Sequence, residues 1–192
     1  MNTNRLEAFS DGVMAIAITL LILEIKVPDT TTPLLQGLLS LWPSYFAYSV
    51  SFIVIGAIWI NHHVMFNLIA RIDQKILLLN TLQLLFVSFL PFPTAVLAHA
   101  LQTNMDESIA AAFYGGVLTI IGALKTIMWF YSVHKKLLHH ELSPREARKI
   151  GKTYFVGPIG YLLATITAFF NPLISIVLFL SLSIFFLWPK HN

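Results

Sequence analysis

Long apolar stretches separated by short polar turns dominate the chain. Six of them run over about 5–27, 38–61, 76–98, 109–133, 153–170 and 173–188. A helix of about 20 apolar residues crosses a hydrocarbon core. Lipid offers the backbone few other ways to satisfy its own polar groups. The pattern therefore predicts an all-α integral membrane protein, with residues 1–192 forming one domain of six transmembrane helices. Asn171-Pro172 predicts a tight turn that makes the last two helices an antiparallel hairpin. Pro91 and Pro93 predict a break near the outer end of the third. The longest polar loop, His134 to Lys152, contains Ser143-Pro144-Arg145-Glu146, a helix-start signal that predicts a short interfacial helix.

The first stretch departs from a lipid-facing anchor. Its uncharged run, Gly12 to Leu23, covers 12 residues, so crossing brings Arg5, Glu7, Ser10 and Asp11 into or against the membrane. Each ionisable group there costs about 2.5–3.5 kcal/mol unless it is paired or wetted. On a helical wheel Arg5, Phe9, Gly12, Ile16, Thr19 and Leu23 recur at alternating spacings of 4 and 3, with Leu20 beside them. That heptad-like seam suits a helix facing copies of itself around an axis. Asp11, Ala15, Ile18 and Ile22 fall roughly opposite, a face that suits the rest of the bundle. Periodicity alone leaves two readings open: ordinary packing in a buried helix, or stacked apolar rings in an ion path that gate by dewetting.

Composition agrees with a membrane protein. Charged residues make up 11% and hydrophobic ones 57%, with a mean hydropathy of +0.76; a soluble domain carries about 25% charged residues. The N-terminus has one arginine before Asp11, a poor match to a cleavable signal. Ten of the twelve basic residues (Arg5, Arg71, Lys75, Lys135, Lys136, Arg145, Arg148, Lys149, Lys152 and Lys190) fall on the side of the termini. Lys26 falls on the other, beside outer loops carrying Asp29, Asp106 and Glu107, and Lys125 lies within a span. Positive charge marks the cytoplasmic side, so both termini are expected there. The same short, loop-borne basic residues give no nucleic-acid surface. With no cysteine, thiolate sites and disulfides are excluded.

Arg5-x-x-x-Phe9-Ser10-Asp11, followed at once by GVMAIAITLLILEI, resembles the signature of the transmembrane protein 175 family, endolysosomal potassium channels and their bacterial homologues. The six-helix length and the His62-His63 pair ending the second helix are similar too. The resemblance implies a potassium-selective channel, with K+ as permeant ion and no cofactor, whose first helix lines a central pore. It places the apolar constriction on Ile16, Leu20 and Leu23 and the selectivity threonine on Thr19, positions that coincide with the seam. Animal members look like two repeats per chain forming dimers, so one repeat implies a homotetramer, here in a bacterial cell membrane. No TVGYG filter is present, so selectivity has to come from helix side chains.

Asn61, His62 and His63 share a membrane depth with Asp11, and buried polar groups in lipid need partners. The expectation is a structural network of Asp11 with one of these histidines, with Ser10 and Arg5 nearby; ion contact and proton sensing by Asp11 stay open. Adjacent helical histidines point about 100° apart, so neither His62-His63 nor the loop pair His139-His140 makes a metal site. Lys125 either snorkels to the interface or pairs with Asp11. Glu24 is either an exposed helix-end carboxylate or an attractor of cations at the pore mouth. A secondary transporter is the alternative function, but its internal repeats and midplane helix break are missing. An enzyme would need a catalytic constellation, and HExxH, GxSxG and cysteine are all absent.

Overall fold

The structure, a computed structural model, describes residues 3–28 and 33–187. Asp29, Trp188 and Lys190, used above for topology and for the end of the last helix, lie outside them. The described chain is all helical: α1 (Thr3–Leu20), a 3-10 turn (Leu21–Glu24), α2 (Leu34–Ser40), α3 (Trp42–Phe66), α4 (Gln74–Phe89), α5 (Pro91–Thr103), α6 (Glu107–His134), α7 (Pro144–Thr167) and α8 (Pro172–Leu187).

Several boundaries differ from the sequence expectation, each for a local reason. The first helix does not run to Val27; its α-helical part ends at Leu20 and tightens into the 3-10 turn. The second stretch is divided at Leu41, whose carbonyl accepts from the amides of Ser44 and Tyr45 around Pro43. α3 then continues to Phe66, which puts His62 and His63 inside its last turns. Pro91 and Pro93 interrupt the hydrogen-bond ladder without ending the span. Leu90 stays in the right-handed helical region, its amide bonding Val87, and Gln74–Thr103 forms one apolar stretch of 30 residues. The expected short interfacial helix is instead the start of α7. Ser143 and Glu146 form a reciprocal capping box, and the helix runs unbroken through its polar first turns to Thr167. At its foot the Ser143 hydroxyl and amide donate to Glu146, and those bonds hold the Glu146 carboxyl below its usual range.

Among the described residues, four helical stretches are long and apolar enough to cross a membrane: Arg5–Glu24, Trp42–Phe66, Gln74–Thr103 and Glu107–His134. α8 is apolar but shorter. α7, α8 and the turn between them present Phe155, Ile159, Leu162, Phe169, Ile174 and Val177 outward, a surface that suits hydrocarbon rather than water.

Two cores stack along the bundle. The larger gathers Met14, Leu21, Val54, Leu84, Leu97, Tyr114, Leu118 and Phe179. The smaller, at the end carrying the basic loops, gathers Leu6, Phe66, Ile76, Trp129, Ile150 and Tyr154. There the loops after α3 and α6 meet in a bridge between Ile69 and Leu138. Asp73 caps α4 by accepting from the Ile76 amide at 2.9 Å and takes the Tyr131 hydroxyl at 2.6 Å. Partial burial pushes the Asp73 carboxyl up, but these bonds and Lys75 outweigh it and hold it below the usual carboxylate range.

Helices α6 and α7 approach closely where side chains are small. Pro158 removes the amide that would bond the Tyr154 carbonyl, and the Thr126 hydroxyl takes its place at 2.8 Å. Gly122 sits against Pro158, where an added Cβ would lie 3.3 Å from the proline nitrogen.

Candidate pore-lining surface and its polar support

α1 and the 3-10 turn after it bury one stripe, Leu6, Ser10, Met14, Ala17 and Leu21, against α3, α4 and α5. This stripe lies between the two faces drawn on the wheel, so the Asp11 face is not the one packed on the bundle. The seam is open in the single chain. Phe9 is 56% exposed, Ile16 60%, Leu20 40% and Leu23 69%, and Arg5, Gly12 and Thr19 are exposed with them. Leu23 belongs to the 3-10 turn, whose tighter winding still leaves it outward. The Thr19 hydroxyl donates to the Ile16 carbonyl at 2.9 Å. Its proton is thereby committed to the helix, and its lone pairs remain available on the open face.

Behind the seam a chain of hydrogen bonds joins three helices. The Ser10 hydroxyl, fully buried, donates to the Leu6 carbonyl at 2.8 Å and accepts from Asn80 Nδ2 at 3.0 Å. Asn80 Oδ1 lies 2.8 Å from His62 Nε2. A carbonyl oxygen can only accept, so His62 donates from Nε2. The His62 ring is stacked on Phe66 with centroids 4.4 Å apart. Ser10 and His62 are thus brought together through Asn80 of α4, a residue absent from the sequence expectation.

Asp11 is placed elsewhere. Its Oδ1 accepts from Trp59 Nε1 at 2.9 Å on the open side of α3, rather than from either histidine. Asp11, Met14, Ile18, Ile55 and Trp59 border a groove of about 280 Å³ between α1 and α3. His63 is exposed; it stacks on Trp59 and lies 3.1 Å from the Asn67 amide. Asn61 is buried and donates to the carbonyls of Ala57 and Phe186, tying α3 to α8. Lys125 does not pair with Asp11; its Nζ lies over the Tyr154 ring, 4.1 Å from the centroid. Glu24 borders an outer cavity of about 510 Å³ together with His99 and Gln102. Among the described residues, no three His, Asp or Glu side chains gather as metal ligands.

Asn80 carried a partial signal in the sequence. It stands in the largely apolar run ILLLNTLQLLF, where a mid-helix amide signals an interhelical bond. Nothing in the spacing says which helix it bonds.

The family model described as Endosomal/lysosomal potassium channel TMEM175 matches residues 5–91, the segment that holds the seam, Ser10, His62 and Asn80. A potassium channel of Chamaesiphon minutus is 42% identical over 189 residues, covering 96% of this chain and 93% of its own. A potassium channel of Streptomyces collinus is 43% identical over 173 residues, covering 87% of this chain and 82% of its own. The crystal structure of a lysosomal potassium-selective channel TMEM175 homologue from Chamaesiphon minutus matches with a TM-score of 0.87 at 41% identity over 96% of both chains. With that identity along nearly its whole length, the chain belongs to the TMEM175 family.

Proposed function

We propose that this chain is a potassium-selective cation channel, with six transmembrane helices per subunit and the α1 seams of four copies lining a central pore. The observation that carries the reading is the open seam itself. An apolar row of Ile16, Leu20 and Leu23, with one hydroxyl oxygen at Thr19, stands outward on a helix whose ionisable end is unsuited to lipid. Fourfold repetition turns Ile16 into an apolar ring that gates by dewetting, and Thr19 into a ring of oxygens that replaces part of an ion's hydration shell. The Ser10–Asn80–His62 chain braces α1 from behind, and the Asp11–Trp59 face meets the neighbouring subunit. The excess of Lys and Arg on the loops beside the termini supports a cytoplasmic location for both ends in a bacterial cell membrane. The names of the two bacterial relatives favour potassium as the permeant ion.

The test is purified protein in planar bilayers. A current that reverses near the potassium equilibrium potential under opposed potassium and sodium gradients is the expected result. Absence of current, or equal permeability to the two ions, overturns the reading.

A further inference from the structure

A second site lies off the pore surface, inside the subunit. α3, α4, α6, α7 and α8 line a half-open cavity of about 50 Å³. One water occupies roughly 10–15 Å³ on this scale, so three or four water-sized particles fit. Its walls are largely hydrocarbon, yet Lys125, Gln83, Tyr154 and Asn61 border it, and no Asp or Glu does. The Lys125 ammonium has the Tyr154 ring on one side. The Gln83 side chain is fully buried, and neither its amide nitrogen nor its oxygen meets a hydrogen-bonding group among the described residues. The buried Tyr154 hydroxyl is in the same position. Buried amides and hydroxyls are normally bonded, and buried charges are normally paired. Here an amide and a hydroxyl without partners, and the half-buried Lys125 ammonium, lie around a space of small-ion size.

We propose that this cavity binds one small monovalent anion of halide size, with the Lys125 ammonium as its counter-charge and the Gln83 amide and Tyr154 hydroxyl as further donors. The single formal charge and the small volume discriminate against sulfate and phosphate. The apolar walls favour weakly hydrated anions, because stripping water from them is less costly. Bromide and iodide therefore bind more tightly than chloride, and fluoride least. The site is independent of the conduction path, and it stands or falls without reference to current.

Bromide is the probe, applied to the full-length channel in its native assembly. Anomalous diffraction from crystals grown in sodium bromide is expected to give one peak per subunit in the cavity, within contact of Lys125 and Gln83. The thermal midpoint in detergent is expected to rise by about 2 °C or more when gluconate is replaced by bromide, the order that ligand saturation gives a chain of this size. Lys125→Met preserves side-chain length without the charge and is expected to lose both the peak and the rise. If that variant does not assemble, Gln83→Leu replaces it and is expected to weaken the rise, and the wild-type peak is read together with the wild-type rise. A cavity holding only water overturns the proposal. So does a bromide peak with no shift in solution, which is an adventitious ion only, or a shift that persists in Lys125→Met.

Discussion

A threonine on an exposed helical face can spend its hydroxyl proton on solvent or on its own backbone. Thr19 does the latter, bonding the Ile16 carbonyl, and so offers a cation an oxygen with no competing proton in front of it. Removing that oxygen from each copy costs the bound ion on the order of 1 kcal/mol, which corresponds to roughly a fivefold change in an equilibrium ratio. Thr19→Ala is therefore expected to lower the potassium-to-sodium permeability ratio several-fold while conductance changes less, read from bi-ionic reversal potentials. Asn80 has the opposite kind of role. It bonds His62 and Ser10 at once, and a leucine there leaves the buried His62 Nε2–H without an acceptor and Ser10 with only its bond to the Leu6 carbonyl. At about 1–3 kcal/mol for the orphaned histidine donor, the thermal midpoint of Asn80→Leu in detergent is expected to fall by about 5 °C. An unchanged midpoint would show that the chain of bonds does not hold α1. The seam residues were readable from their spacing, since position on a helix fixes the face. The partners of Asp11 and His62 were not, because they depend on how far α3 and α4 slide along α1.

Helical elements followed from the apolar pattern, while their joints depended on hydrogen bonds that the pattern does not encode. The capping box of Ser143 and Glu146 was visible, but whether its helix stops or runs into the next span is decided by tertiary contacts. Trp129 donates to the Ala147 carbonyl, and Ile150 and Tyr154 enter the inner core, which carries α7 straight into the bundle. Small residues decide how close the helices come. Gly115 of α6 faces Phe179 of α8 and Thr165 of α7, both of which an added Cβ would meet at 2.3 Å, whereas a Cβ on neighbouring Gly116 meets nothing within 4 Å. Overpacking of this kind costs about 1–3 kcal/mol. Gly115→Ala is expected to lower the yield of folded protein and its melting temperature, and Gly116→Ala to leave the fold of the subunit intact. Equal melting curves for the two variants would show that the α6–α7–α8 contact is softer than its geometry.

Scale decides what α1 is for. Of the four stretches long enough to cross a membrane, Arg5–Glu24 is the least enclosed, with 28% of its apolar window buried against 39% or more in the others. It also opens with Arg5, Glu7 and Asp11, the residues that lipid tolerates least. A helix that is both the most open and among the most polar at one end is stable in a bilayer only if other protein or water covers it, and in the proposed tetramer copies of the same chain would supply both around an axis. Because the chain has no cysteine, a single introduced one reports its neighbours without background. Leu23→Cys, on the open seam, is expected to form disulfide-linked dimers within a complex whose native mass is that of four subunits, since a disulfide requires Cα atoms within about 7 Å. Ile174→Cys, on the outward surface of α8, is expected to stay monomeric on the same gel. Cross-linking at Ile174 with none at Leu23 would turn α8 toward the axis and leave α1 to face lipid.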